Sequence, residues 1–514
     1  MKIILTIIFM ILAYINYRHL NIGFLSFVQI DEYAFHNSLI NMYEGVIELD
    51  LKKFFSFSFY SYGFDFFLIN LIFTFPFFLT DNIEMTVYMP RIVSSLFAIG
   101  SLYLIYIISK RFTSDLLSYL IVLLVLSMPG FWRNAMWFHP DWMMTFFILL
   151  SIYFYDKDKF TYKKYFWYGT LAFGLAISSK LQGITFYPFL FFYIFYENFI
   201  RKNLHELKDK TILLFKAVFL TIVTFVVTNP YIVHPLGFKA WLADFTANME
   251  SNRTLHGSGI VLEWYEKIVN VIDIHYFSIV VFITLVLFVV FTSIEYFSNN
   301  KRNIINVISL YILINLVYLI FFVNKDWQHY YLTILVISVL LFTLKFKYNH
   351  YLIVALILIN IIFTFNTHYK NFTHNPIKQK QLEQSQLLKE VFKGQIDKDT
   401  NILISSMVPF DYTSVGLKYK QMHTIYGPLR KKMFIFEDYI EHSYTKNTEL
   451  FIQKDFIVIK KDSPYFYPIR LANRTDKDEY YKAINTIENF NNSGNLGYEK
   501  FVENKYFYIW RKKK

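Results

Sequence analysis

Residues 90–112 read PRIVSSLFAIGSLYLIYIISKRF. One arginine near the start is followed by eighteen uncharged, mostly apolar residues and then by Lys110 and Arg111. Such a stretch is long enough to cross a bilayer as a helix, and its terminal cations suit the cytoplasmic boundary. Similar apolar segments run at about 3–17, 64–80, 113–129, 141–155, 166–179, 181–198, 211–228, 276–294, 303–323, 329–344 and 350–366. The chain of 514 residues is 55% hydrophobic, 21% aromatic and 18% charged, with a mean hydropathy of +0.33. Soluble domains carry about a quarter charged residues, so the composition excludes an ordinary soluble protein and a disordered chain. The sequence therefore predicts a multi-pass α-helical membrane protein.

The net charge is +12. In a membrane protein, basic excess marks cytoplasmic loops facing anionic lipid, so no nucleic-acid partner is expected. The chain has no cysteine, which excludes disulfides, zinc-thiolate sites and thiol catalysis. Residues 1–17 carry one lysine, an apolar run and no small-residue cleavage site, and read as an uncleaved first span.

The segment 64–80 decides the topology. It is short and contains Asp65, Asn70 and Pro76. If it lies along the membrane surface and the N-terminus is inside, Lys110, Arg111, Lys157, Lys159, Lys163, Lys164, Arg201, Lys202, Lys208, Lys210, Lys301, Arg302, Lys345 and Lys347 all face the cytoplasm. If it crosses, all of them face outward, against the positive-inside rule. Eleven spans are therefore expected. Residues 1–366 form the membrane domain, with an external loop over 22–89 that holds interfacial helices and a second external loop over 229–275. From about 367 the character changes. The run KQKQLEQSQLLKEVFKGQ is polar and helical, NILISSM, DFIVIKK and KYFYIWRK read as strands, and DKDEYYKAINTIENF reads as an amphipathic helix. Residues 367–514 are expected to form a soluble, extracytoplasmic α/β domain.

The informative ionisable residues lie at the ends of the spans. QIDEYAFHNSL (29–39) holds Asp31 and Glu32, and Arg91 opens the second span. MWFHPDWMMTFF (136–147) holds His139 and Asp141, and Lys180 lies in the turn between two apolar segments. NRTLHGSG (252–259) holds His256, and NKDWQHYYLTIL (324–335) holds His329. On this topology all of them face outward. Each has a blander reading alone: a solvated cap for the acidic pair, a lipid anchor for Arg91, a helix cap for Asp141, snorkelling for Lys180. Asn252, Asn371, Asn473 and Asn491 head N-x-S/T triplets, which matter only in a secretory-pathway host.

Taken together, the order of these residues resembles the polyprenyl-phosphate-sugar-dependent glycosyltransferases of the GT-C superfamily, in the protein O-mannosyltransferase and aminoarabinose-transferase branch. The resemblance covers roughly residues 1–340. It rests on Asp31-Glu32 opening the first external loop, the interfacial segment 64–80, and Arg91 to Ser94 as an R-x-x-S pattern. Pro140-Asp141, Lys180 to Gly183 and His256-Gly257 complete it. Where many members have Arg-Tyr before a late span, this chain has His329-Tyr330, a departure at a phosphate contact.

The resemblance implies an inverting transfer of a sugar from a lipid-phosphate donor to an acceptor hydroxyl on the external face. It gives Asp31 as general base, with Glu32 sharing or orienting, and Arg91, Lys180 and His329 as contacts to the donor phosphate. His139, Asp141 and His256 would lie at the sugar, the acceptor or a metal. A divalent metal between Asp31 and Asp141 is allowed by the pattern but not required, and no other cofactor is expected. The implied partners are the bilayer, a polyprenyl-phosphate-linked donor, and a glycolipid, glycan or protein acceptor. Two other classes compete: a transporter or flippase of lipid-linked glycans, and a non-catalytic envelope assembly protein. The first predicts charges deep within spans and inverted repeats, neither of which is present. A low-GC bacterial source fits the heavy use of Phe, Tyr, Ile, Asn and Lys, and places the protein in the plasma membrane.

Overall fold

The computed structural model describes Ile7 and residues 30–57, 59–80, 82–196, 206–254, 261–298, 303–343, 349–372, 376–397, 399–405, 408, 410, 412–417, 421–425, 454–461 and 497–513. The segment 3–17 apart from Ile7, His256 and the expected helix 476–490 lie outside them. So does the side chain of Asp31, whose backbone is in the first turn of the helix Ile30–Ile47.

The architecture is mostly helical, with one small sheet near the C-terminus. Among the described residues, five helices are long and apolar enough to cross a membrane: Met85–Ser109, Leu207–Thr228, Ile279–Phe297, Ile304–Phe322 and His350–Thr367. A sixth arises if Asp115–Leu126 and Pro129–Ala135, bent by 73°, form one broken span. Length and composition alone thus give fewer crossings than eleven. Several expected spans are short or interrupted, such as Leu181–Ile194 and Leu332–Thr343. The helix Phe64–Leu79 has 16 residues. At the usual rise it is about 24 Å long, short of the roughly 30 Å hydrocarbon core.

One element begins earlier than expected. The helix carrying Arg91 starts at Ile83, where the Asn82 side chain accepts from Met85 N, and runs through Pro90 to Ser109. Arg91 therefore sits in its third turn, not its first. Proline in a helix removes one backbone donor, which here would have served the Thr86 carbonyl.

Phe215, Phe219 and Val227 on Leu207–Thr228, Leu287 and Ile294 on Ile279–Ser298, and Ile362 and Phe363 on Asn349–Phe372 are all exposed. Apolar surface of this extent is unfavourable in water and stable against lipid. The inner faces form one continuous aliphatic and aromatic core. Within it, Asn360 Nδ2 donates to the carbonyls of Ser127 and Tyr276, and Asn360 Oδ1 accepts from Ser278 N. These bonds satisfy backbone groups at the break before Pro129 and at the start of Ile279–Ser298, groups that lipid could not satisfy.

A second core lies under the N-terminal helices, where Phe35, Leu39, Phe57, Phe64 and Phe67 pack with Phe138 and Tyr231. The helix Pro376–Phe392 then precedes a five-stranded mixed sheet. Its strands are β1 (Ile402–Ser405), β2 (Met422–Ile425), β3 (Phe456–Lys460), β4 (Tyr498–Glu503) and β5 (Phe507–Lys512), in the order β2-β1-β3-β5-β4. β1 pairs in parallel with β2 and β3, while β5 pairs antiparallel with β3 and β4. Alternation along the strands sends Ile402, Ile404, Phe456 and Val458 to one face, with Leu388 and Phe392. Leu403, Ile457 and Ile459 go to the other. Val87, one helical turn before Arg91, joins the first of these clusters.

Candidate active site

The site gathers where the helices Ile30–Ile47, Ile83–Ser109 and Asp141–Asp158 meet the turns at 135–140, 179–182 and 327–331. On the first helix, Glu32 and His36 are one turn apart and share a face. The Glu32 carboxylate accepts from Arg91 Nε and Nη2, both at 2.8 Å, and from the backbone N–H of Phe138, also at 2.8 Å. Both side chains of the pair are buried. A bidentate guanidinium–carboxylate pair fixes orientation as well as charge. His36 shares a hydrogen bond of 2.9 Å with Thr86. Burial, and then the Arg91 charge, pushes its ring down to about 4, so it is neutral at ordinary pH.

The R-x-x-S pattern has a physical role. Ser94 Oγ donates to the His139 carbonyl at 3.4 Å, and its neighbour Ser95 donates to the Ala135 carbonyl at 2.6 Å. Arg91, through Glu32 and Phe138 N, and the two serines therefore hold the turn 135–139 against one helix.

That turn delivers His139 and Asp141. Asp141 opens its helix after Pro140. Its Oδ1 accepts from Lys180 Nζ at 2.5 Å, and its Oδ2 is in contact with His139 Nδ1. Both carboxylate partners are buried.

Lys180 is placed by the chain on both sides of it. It leaves the helix Lys164–Ser179 in an extended conformation and pairs with Tyr62 in an antiparallel bridge. Gly63 N donates to the Ser179 carbonyl at 3.2 Å, and Leu181 N donates to the Ser61 carbonyl at 3.0 Å. A Cβ at Gly63 would overlap the Ser178 carbonyl, so this close approach requires glycine. Next to this strap, Asp65 accepts from Phe66 N at 2.8 Å and from Ser179 Oγ at 3.4 Å. Burial raises its carboxyl to about 7, against the opposing pull of these donors.

His329 lies in a short 3₁₀ turn, Gln328–Tyr330, whose Gln328 exchanges hydrogen bonds with Asn134 at 2.8 and 3.2 Å. The His139 and His329 ring centroids are 4.8 Å apart, and Trp137 stacks on His139 at 4.5 Å. Lys180 Nζ lies 5.2 Å from the Tyr330 ring and 5.7 Å from that of Tyr62.

Six of the expected residues thus converge: Glu32, Arg91, His139, Asp141, Lys180 and His329. Asp31 immediately precedes Glu32, and His256 is outside the described residues. Sequence reasoning missed His36, Tyr62, Trp137, Asn134 and Gln328. Trp137 and His36 stand within the quoted motif stretches, but nothing local marks Tyr62, whose partner is 118 positions away.

His139, Asp141 and His329 offer ligand atoms that all lie within 4.8 Å of one another. Two imidazoles and a carboxylate suit zinc or a similar ion. His329 Nε2 has no hydrogen-bond partner among the described residues, while Asp141 Oδ2 lies against His139 Nδ1. Against this, Lys180 already places a buried positive charge on the same carboxylate. The donor set fits a divalent ion, and the lysine opposes it.

Residues 67–228 match the family model described as dolichyl-phosphate-mannose-protein mannosyltransferase. No curated protein matches the chain in sequence. Among solved structures, the chain is similar to ArnT from Cupriavidus metallidurans bound to undecaprenyl phosphate, with a TM-score of 0.59 and 10% identity over 98% of this chain and 97% of that one. The same ArnT in the apo state gives a TM-score of 0.59 and 9% identity over 99% and 97%. An oligosaccharyltransferase from Archaeoglobus fulgidus, in complex with Zn and sulfate, gives 0.42 and 11% over 77% of this chain and 59% of that one, a likeness too weak to carry an argument. At these identities the ArnT likeness establishes the fold, which extends over nearly the whole chain. The family match over 67–228 lies within that fold, which the chain has in common with ArnT.

Proposed function

We propose that the chain transfers a sugar from a polyprenyl-phosphate donor to an acceptor hydroxyl, with inversion, at the external face of a bacterial plasma membrane. The observation that carries this reading is the buried pairing of two cations with two carboxylates, Arg91 with Glu32 and Lys180 with Asp141, at one end of the helices. In the reaction the acceptor oxygen attacks the anomeric carbon, its proton passes to a carboxylate, and the bond from that carbon to the lipid phosphate breaks. Negative charge grows on the departing phosphate, and cations fixed beforehand stabilise it without reorganising.

The carboxylates divide the work. Glu32 accepts three hydrogen bonds, two from Arg91 and one from Phe138 N, which suits a positioning residue. Asp31, adjacent in the chain, is the general base in this reading. Asp141 orients Lys180, and Lys180 and Arg91 meet the donor phosphate, with His329 beside them. His139, stacked on Trp137, would face the sugar, and His256 comes from the loop 229–275.

The same reading adopts the eleven-span topology, with the active site and residues 367–514 outside the cell and the external loop 22–89 lying on the membrane. The donor tail then stays in the bilayer while its phosphate reaches the outer boundary. The undecaprenyl phosphate in the ArnT structure supports that class of donor lipid, and a glycolipid, glycan or protein hydroxyl is the acceptor.

Native mass spectrometry of the full-length protein in detergent tests the donor assignment, with undecaprenyl phosphate as the probe. Lys180→Gln is expected to weaken its retention by about tenfold, the loss of one charge-assisted contact. Equal retention by both proteins would count against the assignment.

A further inference from the structure

Arg133, a cation outside the ion-pair cluster, has no counter-charge among the described residues. Arg133 lies in the last turn of the short helix Pro129–Ala135. Gly130, three residues before it on the same face, abuts residues 275–276: a Cβ there would meet the His275 carbonyl at 2.6 Å and the Tyr276 ring at 2.7 Å. Arg133 and His275 are thereby brought together. Burial, and then the Arg133 charge, pushes the His275 ring down to about 3. Arg133 Nε and His275 Nδ1 are buried without a hydrogen-bond partner among the described residues, and neither side chain makes an ion pair there. The nearest acid in sequence, Asp273, is turned away to cap Ile279 N at 2.8 Å. A largely buried guanidinium without an acceptor is costly, so this arrangement calls for an anion.

The surroundings indicate which anion. Ile274, Ile279 and Val280 flank His275 and are exposed by 39%, 43% and 47%. A guanidinium beside outward-facing aliphatic side chains matches an anionic headgroup with acyl chains attached. A guanidinium fork matches phosphate oxygens. The segment just before His275 is a π-helical turn, Ile268–Asp273, a conformation that recurs at functional sites. Lys267, at its start, is also buried with no carboxylate partner among the described residues, its Nζ donating to the Ile320 carbonyl at 2.7 Å.

We propose that Arg133 and His275 bind the phosphate of an anionic membrane lipid, at a site separate from the Arg91–Glu32 and Lys180–Asp141 cluster. The proposal does not depend on the transfer reaction. A lipid held there would also clamp the helix Pro129–Ala135. That helix supplies the Ala135 carbonyl to Ser95 and the Asn134 side chain that holds Gln328 next to His329.

The test uses the full-length protein in neutral detergent and follows its thermal unfolding. The probes are dihexanoyl phosphatidylglycerol, dihexanoyl phosphatidylcholine and inorganic phosphate. Phosphatidylglycerol is expected to raise the midpoint of the wild type more than either other probe. Arg133→Gln is expected to bind it about tenfold more weakly. Arg133→Lys keeps the charge without the fork, and His275→Gln removes the ring. Each is expected to weaken the response, which keeps the test decisive if Arg133→Gln does not fold. Responses equal to the wild type in all the Arg133 and His275 variants that fold would overturn the site. A response to inorganic phosphate equal to that for the lipid would overturn the lipid assignment.

Discussion

Lys180 Nζ donates to Asp141 Oδ1 at 2.5 Å, and neither side chain is open to solvent. The two residues reach each other from different helix ends, one after Pro140 and one held against Tyr62. A buried pair of this kind is expensive to break from one side, because the remaining charge is left without a partner. Asp141→Asn should therefore lower stability by about 3 kcal/mol. The double variant Asp141→Leu, Lys180→Met should cost less than either single charge deletion. Thermal unfolding of the purified variants checks both statements. A double variant less stable than Asp141→Asn would show that the pair is not acting as one unit.

Asp65 gives the fold a pH dependence whose sign can be worked out. Its carboxyl is raised to about 7 in the folded protein from the ordinary value of 3.8. Below about pH 4 it is protonated in both states and contributes nothing. Between there and about pH 7 the unfolded chain ionises first, so the folded state loses relative stability as pH rises. The full penalty, of the order of 4 kcal/mol at most, is reached above pH 7. Asp65→Asn should flatten this part of the stability profile and raise the unfolding temperature at pH 8. An unchanged profile would mean that Asp65 is ionised in place.

The lysine also governs metal binding. With Lys180 on the Asp141 carboxylate, added zinc should shift the unfolding temperature little. In Lys180→Gln the His139, Asp141 and His329 donors lose that competitor, and zinc should stabilise by mass action. A shift as large in the wild type would show that ion and lysine share the site.

The topology can be tested without any knowledge of the substrate. Reporter fusions after Met85, Phe160 and Asn300 should place the first outside and the other two inside. An external Phe160 fusion would mean that Phe64–Leu79 crosses the membrane.

Much of the molecule was legible in the chain. The helix Phe64–Leu79 ends within one residue of the expected segment, and β1, β3 and β5 fall in the three runs read as strands. These elements declare themselves through local apolar pattern. β4, YEKFVE, did not, because its outer face is exposed and polar. The break at Ser127 to Pro129 was read as a span end, although the helix resumes at a steep angle and carries Arg133. The candidate site was legible as residue types but not as partnerships. Glu32 with Arg91 and Asp141 with Lys180 are separated by 59 and 39 positions. Such pairings are decided by which helix ends meet, and no short-range pattern encodes that. Arg91 was expected at a helix start because the apolar run begins there, yet Asn82 supplies a cap two turns earlier.

The central claim is that this chain moves a sugar and that Asp31 takes the acceptor proton. Mass spectrometry of envelope lipids and glycans tests it most directly, in wild type, a deletion, and the deletion carrying Asp31→Asn at matched protein level. The account predicts that deletion and variant lose the same sugar-sized mass from one component. If Asp31→Asn restores whatever the deletion lost, Asp31 is not the base and the mechanism proposed for this site is wrong.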